Sequence, residues 1–358
     1  MKVGKPFRLI VLALVLIVPA CGPYARAHRT ATPVSPSGVP GRAPEPSITP
    51  QQTGASQVHP ESPAPTVASS RATNPSPAPG DSYTSPCAPS GPDLSAYRGL
   101  GTWIDVYDQS DVFGPAAFGD PTTSVAEMVR NGVRTVFLEA GSYRHPAVAF
   151  PTATARFIRA AHAAGKRVVA WYLPLFRSVE HDFAEVVRVL RFRTPDGEGY
   201  DGFALDIEAA VVPAARRIAN FLTLSAAIRA AVGPDYALGA IIPSPRGLIR
   251  VPAYWPGFPY SQLPRFYDVV LPMSYFTFHE HGAAQVLRYV EDNVEIVRRA
   301  TGEPGIPVHV IGGIADDMSP AETTAFVRGA RSEHVFGASL YEFPRTSAFE
   351  WRALAPLR

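Results

Sequence analysis

The chain has 358 residues, of which 33 are Lys or Arg and 31 are Asp or Glu, so its formal net charge is +2. A nearly balanced charge without a basic run or an aromatic-interleaved basic patch argues against a nucleic-acid partner. The two cysteines, Cys21 and Cys87, give no disulfide framework, because Cys21 is expected to belong to an export signal and Cys87 is then left alone.

The first 20 residues have the composition of a secretory signal. Lys2, Lys5 and Arg8 precede the apolar run LIVLALVLIVPA. A positively charged segment followed by so short an apolar one predicts an export signal and not a membrane-spanning helix.

Two ways of processing this signal remain open. The sequence VPAC, followed by Gly22, resembles a bacterial lipobox and would make Cys21 a lipidated residue at the end of a signal peptide of residues 1–21. The alternative is ordinary cleavage after Ala27, which would release the protein. We favour the lipobox because Cys21 directly follows the apolar run. Its lipid would then be the sole membrane anchor, at the outer face of the bacterial cytoplasmic membrane.

Residues 22–92 are dominated by Pro, Ser, Ala, Thr and Gly and contain few large apolar side chains. A segment of this composition buries too little apolar surface to offset the entropy lost on ordering it. We expect a disordered, extended linker with local polyproline character.

From residue 93 to residue 358 the composition is that of a globular domain, and short apolar runs alternate with amphipathic stretches rich in Ala and Arg. Near-continuous apolar runs are typical of strands that are buried on both faces, as in parallel sheets. Eight strands are predicted, at Thr102–Asp108, Thr135–Ala140, Arg167–Leu175, Gly202–Glu208, Ala237–Ile242, Tyr267–Tyr275, Val308–Gly313 and Gly337–Phe343.

Helix signals lie between these strands. Ser124 with Glu127, and Ser319 with Glu322, predict capping boxes at the starts of two helices. Gly165 is expected to end the second helix, since glycine is favoured just beyond the last helical residue.

The number of strand–helix units indicates the fold. Residues 243–266, after the fifth strand, contain too many prolines for a regular helix and predict a long loop. Eight units in about 265 residues predict an α/β fold, a (β/α)8 barrel formed by a single domain of residues 93–358. The alternative is an open doubly wound sheet, which usually has a Gly-rich turn after its first strand; the sequence DVYDQSDVFG offers none. We expect a monomer.

Asp206 and Glu208 end the fourth predicted strand, and they share a face with Ala204 because side chains alternate along a strand. Active sites of (β/α)8 barrels lie at the carboxyl ends of the strands. Two carboxyl groups about 6–7 Å apart in a poorly solvated mouth disfavour double ionisation, so one pKa is expected to rise. An acid that stays protonated near neutral pH can protonate a leaving sugar oxygen, as in a glycosidase. The alternative is a structural pair that binds arginines or caps loops.

The segment DGFALDIE, residues 201–208, resembles the fourth-strand motif D-G-x-D-x-D-x-E of glycoside hydrolase family 18, the chitinase-like (β/α)8 enzymes. Asp201, Gly202, Asp206 and Glu208 match this motif in register. The resemblance implies that Glu208 is the catalytic acid and that Asp206 holds the acetamido group of the substrate, whose oxygen then acts as the nucleophile. It also places Asp201 among the site residues.

The sequence Met273-Ser274-Tyr275 in the sixth strand resembles the family's M-x-Y, whose Tyr hydrogen-bonds the same acetamido group, so Met273 and Tyr275 are expected at the substrate site. The middle Asp of the family's fourth-strand motif is Ala204 here, and Phe276 stands where an Asp commonly follows M-x-Y. Relatives that cut peptidoglycan or other N-acetylglucosamine glycans tolerate change at the position of this middle Asp. These differences also motivate an alternative of another class, a barrel without catalytic activity that binds glycans at the cell envelope.

Further polar and aromatic residues lie near the predicted strand ends. Glu139 and Glu342 are preferred over Asp105 and Asp108 as the second carboxylate of a two-acid mechanism. Flat rings suit the C–H faces of pyranoses. The rings expected around the sugar site are Trp103, Tyr107, Tyr143, Trp171, Tyr172, Tyr254, Trp255, Tyr275, Phe278 and Tyr341.

The segment FHEHG contains His279, Glu280 and His281, which are too close together on a loop to act jointly as metal ligands. No metal or other cofactor is expected. The sequence therefore predicts an exported glycoside hydrolase whose partner is a polysaccharide or oligosaccharide, namely an N-acetylglucosamine-containing glycan of the cell wall or the environment.

Overall fold

Eight parallel strands close into a barrel in the computed structural model, which describes residues 91–105 and 120–358. Each strand pairs with the next one along the chain, as the first does with the second. The first strand also pairs with the eighth, for example Leu100 with Ala338. The strands are β1 Gly99–Ile104, β2 Thr135–Ser142, β3 Arg167–Leu173, β4 Gly202–Asp206, β5 Leu238–Pro243, β6 Val269–Met273, β7 His309–Ile314 and β8 Gly337–Tyr341.

Helices connect successive strands and cover the outside of the barrel, as right-handed β–α–β connections require. Within the described residues, no helix combines the length and apolar character needed to cross a membrane. The helices are α1 Pro121–Arg130, α2 Pro151–Ala163, α3 Val179–Arg191, α4 Ala214–Val232, α5 Pro245–Arg250, α6 Ala283–Thr301, α7 Pro320–Ser332 and α8 Ala348–Ala353.

The predicted (β/α)8 architecture is confirmed, and the closed strand order excludes the open doubly wound alternative. All eight predicted strands overlap observed ones. The predictions for the signal peptide, the lipobox at Cys21, the linker, Tyr107 and Asp108 lie outside the described residues.

Two of the three helix-end signals are confirmed. Ser319 and Glu322 form a reciprocal capping box at the start of α7. Gly165 follows α2 with φ +67°, a conformation that side-chain-bearing residues rarely adopt. The predicted box at Ser124 is wrong: Asp120 caps α1 by accepting from the amide of Thr122, and Ser124 is buried inside the helix. A proline at the first helical position fixes that earlier start.

The connection after β5 is more ordered than the predicted loop. It contains the short helix α5 and a 3-10 helix at Tyr260–Arg265. Pro245 opens α5, where its missing N–H leaves no hydrogen bond unmade, whereas Pro264 lies inside the 3-10 helix.

Strand residues alternate between two buried layers. On β4, Phe203 and Leu205 face outward and share a cluster with Phe221 of α4, whereas Ala204 faces the barrel interior. This alternation is the period-two pattern expected of a strand. The interior layer contains Trp103, Phe137, Val169, Trp171, Ala204, Ile241, Leu271, Met273 and Ile311.

Tyr97 closes the amino-terminal end of the barrel interior. It ends the 3-10 helix Leu94–Tyr97, is fully buried, and its hydroxyl donates to the carbonyl oxygen of Phe203 at 2.7 Å. Gly239 makes room for the ring, because a Cβ there would lie 2.8 Å from it. The interior is therefore a packed core with its open end at the carboxyl ends of the strands.

A hydrogen-bonded chain crosses this core. His309 Nδ1 lies 2.9 Å from the carbonyl oxygen of Tyr97, which can only accept, so Nδ1 carries the proton. His309 Nε2 then accepts from the hydroxyl of Ser339 at 3.0 Å, and Ser339 Oγ accepts from Trp103 Nε1 at 2.7 Å. Burial lowers the pKa of His309 to about 4, so at neutral pH the imidazole ring in this series of hydrogen bonds is neutral.

Candidate active site

Asp206 and Glu208 lie at the carboxyl end of β4. The parallel ladder continues one residue past Asp206, since the amide of Ile207 donates to the carbonyl oxygen of Ile241 at 2.8 Å. This bond keeps the strand extended, so Asp206 and Glu208 follow Ala204 on the inner face. Asp206 is 6% exposed, and its Oδ1 has no hydrogen-bond partner among the described residues. Glu208 is partly exposed at the mouth.

Both carboxyl groups resist ionisation. Burial, followed by the charges of Glu208 and Glu139, raises the pKa of Asp206 well above its ordinary value. Burial raises the pKa of Glu208 to about 7, and the Arg144 guanidinium opposes this rise. The two groups therefore share protons at neutral pH, and one of them can donate a proton to a bound molecule.

Two tyrosines stand beside these acids. The rings of Tyr275, just after β6, and Tyr341, at the end of β8, lie 6.0 Å apart. Burial and the charges of Glu208 and Asp206 raise the pKa of Tyr275, so its hydroxyl stays protonated and can donate a hydrogen bond. The Tyr341 hydroxyl lies 3.4 Å from Oδ2 of Asp105, which directly follows β1.

Two tryptophans lie below the tyrosines, and they have different roles. Trp103 stacks on Phe137 with ring centroids 4.3 Å apart and uses its indole N–H within the core, as described above. Trp171 packs edge-on against Trp103 at 6.0 Å, and its Nε1 has no hydrogen-bond partner among the described residues. The two indoles therefore differ: the N–H of Trp103 is hydrogen-bonded within the core, whereas the N–H of Trp171 is buried without a described partner.

The remaining predicted residues of the mouth come from three other strands. Met273 ends β6 and is buried in the interior layer. Glu139 of β2 pairs in register with Trp171, and its charge contributes to the raised pKa of Asp206, so it lies in the same site. Glu342 accepts from Arg345 Nε at 3.0 Å and belongs to an ion-pair network at the β8 end.

Asp201 lies elsewhere, which corrects the prediction that it belongs to the substrate site. It precedes β4, at the opposite end of the strand from Asp206. Its Oδ1 accepts from Arg167 at 2.8 Å, and its Oδ2 accepts from the amide of Val168 at 2.8 Å and lies 2.9 Å from His162 Nε2. The sequence contained a signal for this position, because the predicted strand Gly202–Glu208 begins after Asp201 and so places it at the amino end of the barrel.

Two residues around Glu208 have roles that the sequence did not predict. Arg144, in the loop after β2, carries the charge that opposes the raised pKa of Glu208, and its Nε donates to the Tyr143 hydroxyl at 2.8 Å. No sequence pattern marks it. Tyr254 was expected as a sugar-binding ring, yet its hydroxyl donates to the backbone carbonyl oxygen of Glu208 at 2.6 Å.

The FHEHG segment does not form a cluster. Glu280 pairs with Arg250 at 3.6 Å, and His281 Nδ1 lies 3.9 Å from Glu322 of α7. In the part of the chain that the structure describes, no group of three or more His, Cys, Asp or Glu side chains is arranged to hold a metal ion.

Comparison with known proteins identifies structural neighbours only. No protein-family model matches the chain, and neither does any curated protein. Among solved structures, an endo-β-1,4-mannanase from Thermotoga petrophila superposes with a TM-score of 0.55 at 11% identity, over 75% of this chain and 77% of that one.

Two further neighbours are the glycoside hydrolase domain of PgaB (BpsB) from Bordetella bronchiseptica and a plant class V chitinase mutant from Cycas revoluta in complex with (GlcNAc)3. The first has a TM-score of 0.53 at 13% identity, over 73% of this chain and 98% of that one. The second has a TM-score of 0.50 at 11% identity, over 72% and 99%. This chain therefore has the (β/α)8 barrel fold that these three glycoside hydrolases share.

Proposed function

We propose that the protein is a glycoside hydrolase that cleaves a glycan containing N-acetylglucosamine, with Glu208 as the general acid and base. The observation that carries this proposal is the position of Glu208, with a pKa of about 7, at the barrel mouth after the buried Asp206. The neighbours, a mannanase, a glycoside hydrolase domain and a chitinase, support a glycan as the substrate class.

The chemistry follows from the protonation states. Because its pKa is raised to about 7, Glu208 can carry a proton near neutral pH, so it can protonate the leaving oxygen and later deprotonate the attacking water. Asp206, with one oxygen unoccupied by any described partner, orients the acetamido group of the substrate. The acetamido oxygen then attacks the anomeric carbon, and Tyr275 donates a hydrogen bond to the same group. This route is the substrate-assisted variant of glycoside hydrolysis.

A two-carboxylate route is the competing mechanism within this proposal, with Glu139 as the second acid. It is motivated by the electrostatic effect of Glu139 on Asp206. Export and lipidation at Cys21 remain part of the proposal, since they rest on the amino-terminal sequence.

The test is product release from N-acetylglucosamine oligomers, peptidoglycan and β-mannan by the purified protein and by Glu208→Gln. We expect wild-type turnover on an N-acetylglucosamine glycan and a loss of at least about 100-fold in the variant, in line with the removal of a general acid. Equal rates for both proteins would exclude Glu208 as the acid. Glu139→Gln separates the mechanisms, because substrate assistance needs no second carboxylate as nucleophile.

The second candidate function is glycan binding without catalysis. It is favoured by Ala204, which is fully buried on the inner face next to Asp206 and brings no charge or hydrogen bond to it. Binding of an N-acetylglucosamine oligomer without turnover by the wild-type protein would support this function over hydrolysis.

A further inference from the structure

Helix α4 contains a buried cation close to the site. Arg217 is 2% exposed, and its guanidinium lies 4.0 Å above the ring of Trp255. Its Nε and Nη1 have no hydrogen-bond partner among the described residues, and burial lowers its pKa. Burying a charge without a carboxylate partner costs free energy. We therefore ask what the hydrogen bond that the Arg217 guanidinium does make contributes to the site.

That contact leads to the catalytic strand. Arg217 Nη2 donates to the carbonyl oxygen of Tyr254 at 2.9 Å, and the Tyr254 hydroxyl donates to the carbonyl oxygen of Glu208 at 2.6 Å. Tyr254 is thus held at its backbone by α4 and holds Glu208 with its side chain. The arrangement ties Tyr254, in the connection after β5, to two earlier parts of the chain: Arg217 of α4, 37 residues before it, and Glu208, 46 residues before it.

Glu208 needs such a restraint because it lies beyond the end of β4. The last ladder bond on its side is the one from the Ile207 amide to Ile241. The backbone after that bond is free of the sheet, and a displacement of about 1 Å at a catalytic group can cost about 100-fold in rate.

We propose that Arg217 is a positioning residue for the proposed hydrolase reaction and that it acts through Tyr254 to fix the Glu208 backbone at the barrel mouth. This inference rests on the proposed function. The action is mechanical and not a direct charge effect on Glu208, since the cation that acts electrostatically on Glu208 is Arg144.

The kinetic test uses Arg217→Met, Tyr254→Phe and the double variant. Met replaces the aliphatic stem of Arg with an apolar chain while removing the donors, and Phe removes only the hydroxyl. We expect each single variant to lower kcat about tenfold or more and to change KM by less than about threefold. Since both residues act through one link, the double variant should be no slower than Tyr254→Phe alone. A double variant whose loss is the product of the single losses would overturn the link.

Arg229 of the same helix provides the matched control. Unlike Arg217 it is partly exposed, but it likewise bonds backbone carbonyl oxygens, those of Phe266, Gly233 and Tyr236, and it pairs with Asp268. Arg229→Met should lower the Tm without changing the pH–rate profile. An equal kinetic loss in Arg229→Met would show that Arg217 has only a structural role.

A second readout does not depend on activity. The stability difference between the wild-type protein and Glu208→Gln changes with pH between the ordinary pKa of 4.5 and the folded-state pKa of about 7 of Glu208. If Tyr254→Phe frees Glu208 toward solvent, the midpoint of this change must move to lower pH in the Tyr254→Phe background. An unchanged midpoint would contradict the inference even if turnover is observed. Conversely, a shifted midpoint with no turnover on any glycan would sink the proposed hydrolase and leave the positioning link standing.

Discussion

Trp171 on β3 lies directly opposite Ala204 on β4 in the parallel ladder, and both side chains are buried. On its other side Ala204 pairs with Gly239, where a Cβ would lie 3.2 Å from the Ala204 Cβ. Side-chain volume therefore decreases across these three strands, from the indole of Trp171 to the methyl group of Ala204 to Gly239, which has no side chain. Trp171 fills space that a larger residue at position 204 would need.

Placing an Asp at position 204, as in the chitinase-like motif that residues 201–208 resemble, should therefore destabilise the protein. The new carboxyl group would be buried near Glu139 and Asp206, and its ionisation would cost several kcal/mol, on the order of 3 kcal/mol or more. The expected loss in the free energy of unfolding is larger at pH 8 than at pH 4, where the acid is neutral. Urea unfolding at both pH values measures it, with Ala204→Ser as the size control. An Ala204→Asp protein as stable as the wild type would show that the interior layer has room for the acid.

Glu208→Gln should stabilise the protein at alkaline pH. The folded-state pKa of about 7 lies above the ordinary 4.5, so the folded protein binds more protons than the unfolded chain between these values. The stability of the wild type therefore falls as pH rises through this range, whereas an uncharged Gln has no such cost. After allowing for the partial exposure of Glu208, the gain at pH 8 is about 2 kcal/mol.

The measurement is the unfolding free energy of both proteins from pH 4 to pH 8. The two curves should converge near pH 4, separate between about pH 4.5 and pH 7, and stay apart by a constant amount above pH 7. Curves that run parallel over the whole range would mean that Glu208 has an ordinary pKa and a solvated environment.

His309 should destabilise the protein in acid. Its pKa falls from the ordinary 6.5 to about 4 on folding, so the unfolded chain binds the additional proton between these values. Stability is fully present above pH 6.5 and is lost as pH falls toward 4, by about 3 kcal/mol. His162 acts in the opposite direction, because Asp201 and Glu198 raise its pKa. The contribution of His309 is therefore taken as the difference between the wild type and His309→Gln.

This difference should shrink steadily from pH 7 to pH 4 in chemical denaturation. His281→Gln, at a side chain that is 82% exposed, is the control for a histidine substitution outside the core. A wild-type-minus-variant difference that is the same at pH 4 and pH 7 would argue against the neutral, hydrogen-bonded chain through Ser339.

Asp201→Asn should lower stability and leave activity intact. The carboxylate accepts from Arg167 and from the Val168 amide and contacts His162, and a partly buried charged acceptor of this kind contributes about 2 kcal/mol. The control is Asp196→Asn, which breaks an exposed pair with Arg159 and should cost less than about 0.5 kcal/mol. Thermal unfolding and kcat/KM measure both effects. A loss of kcat with unchanged Tm in Asp201→Asn would return this residue to the substrate site.

The sequence predicted well what depends on local periodicity. Period two placed Ala204, Asp206 and Glu208 on one face, as the interior and outer layers of β4 show. Near-continuous apolar runs predicted buried parallel strands, and their number predicted the barrel. Helix-end signals worked at Gly165 and at the Ser319–Glu322 capping box. They failed at Ser124, where the nearby Asp120–Pro121 pair makes a better start.

Only the closed barrel decided which residues meet at the mouth and beneath it. Trp103 and Ser339 bond across 236 residues of sequence, and His309 reaches the Tyr97 carbonyl oxygen across 212. Such pairs depend on the register between β1 and β8, which no local pattern specifies. The same holds for Arg144 and Tyr254 around Glu208. Sequence thus determined the acids and the strand that bears them, whereas tertiary structure determined their neighbours, because desolvation and charge act through space and not along the chain.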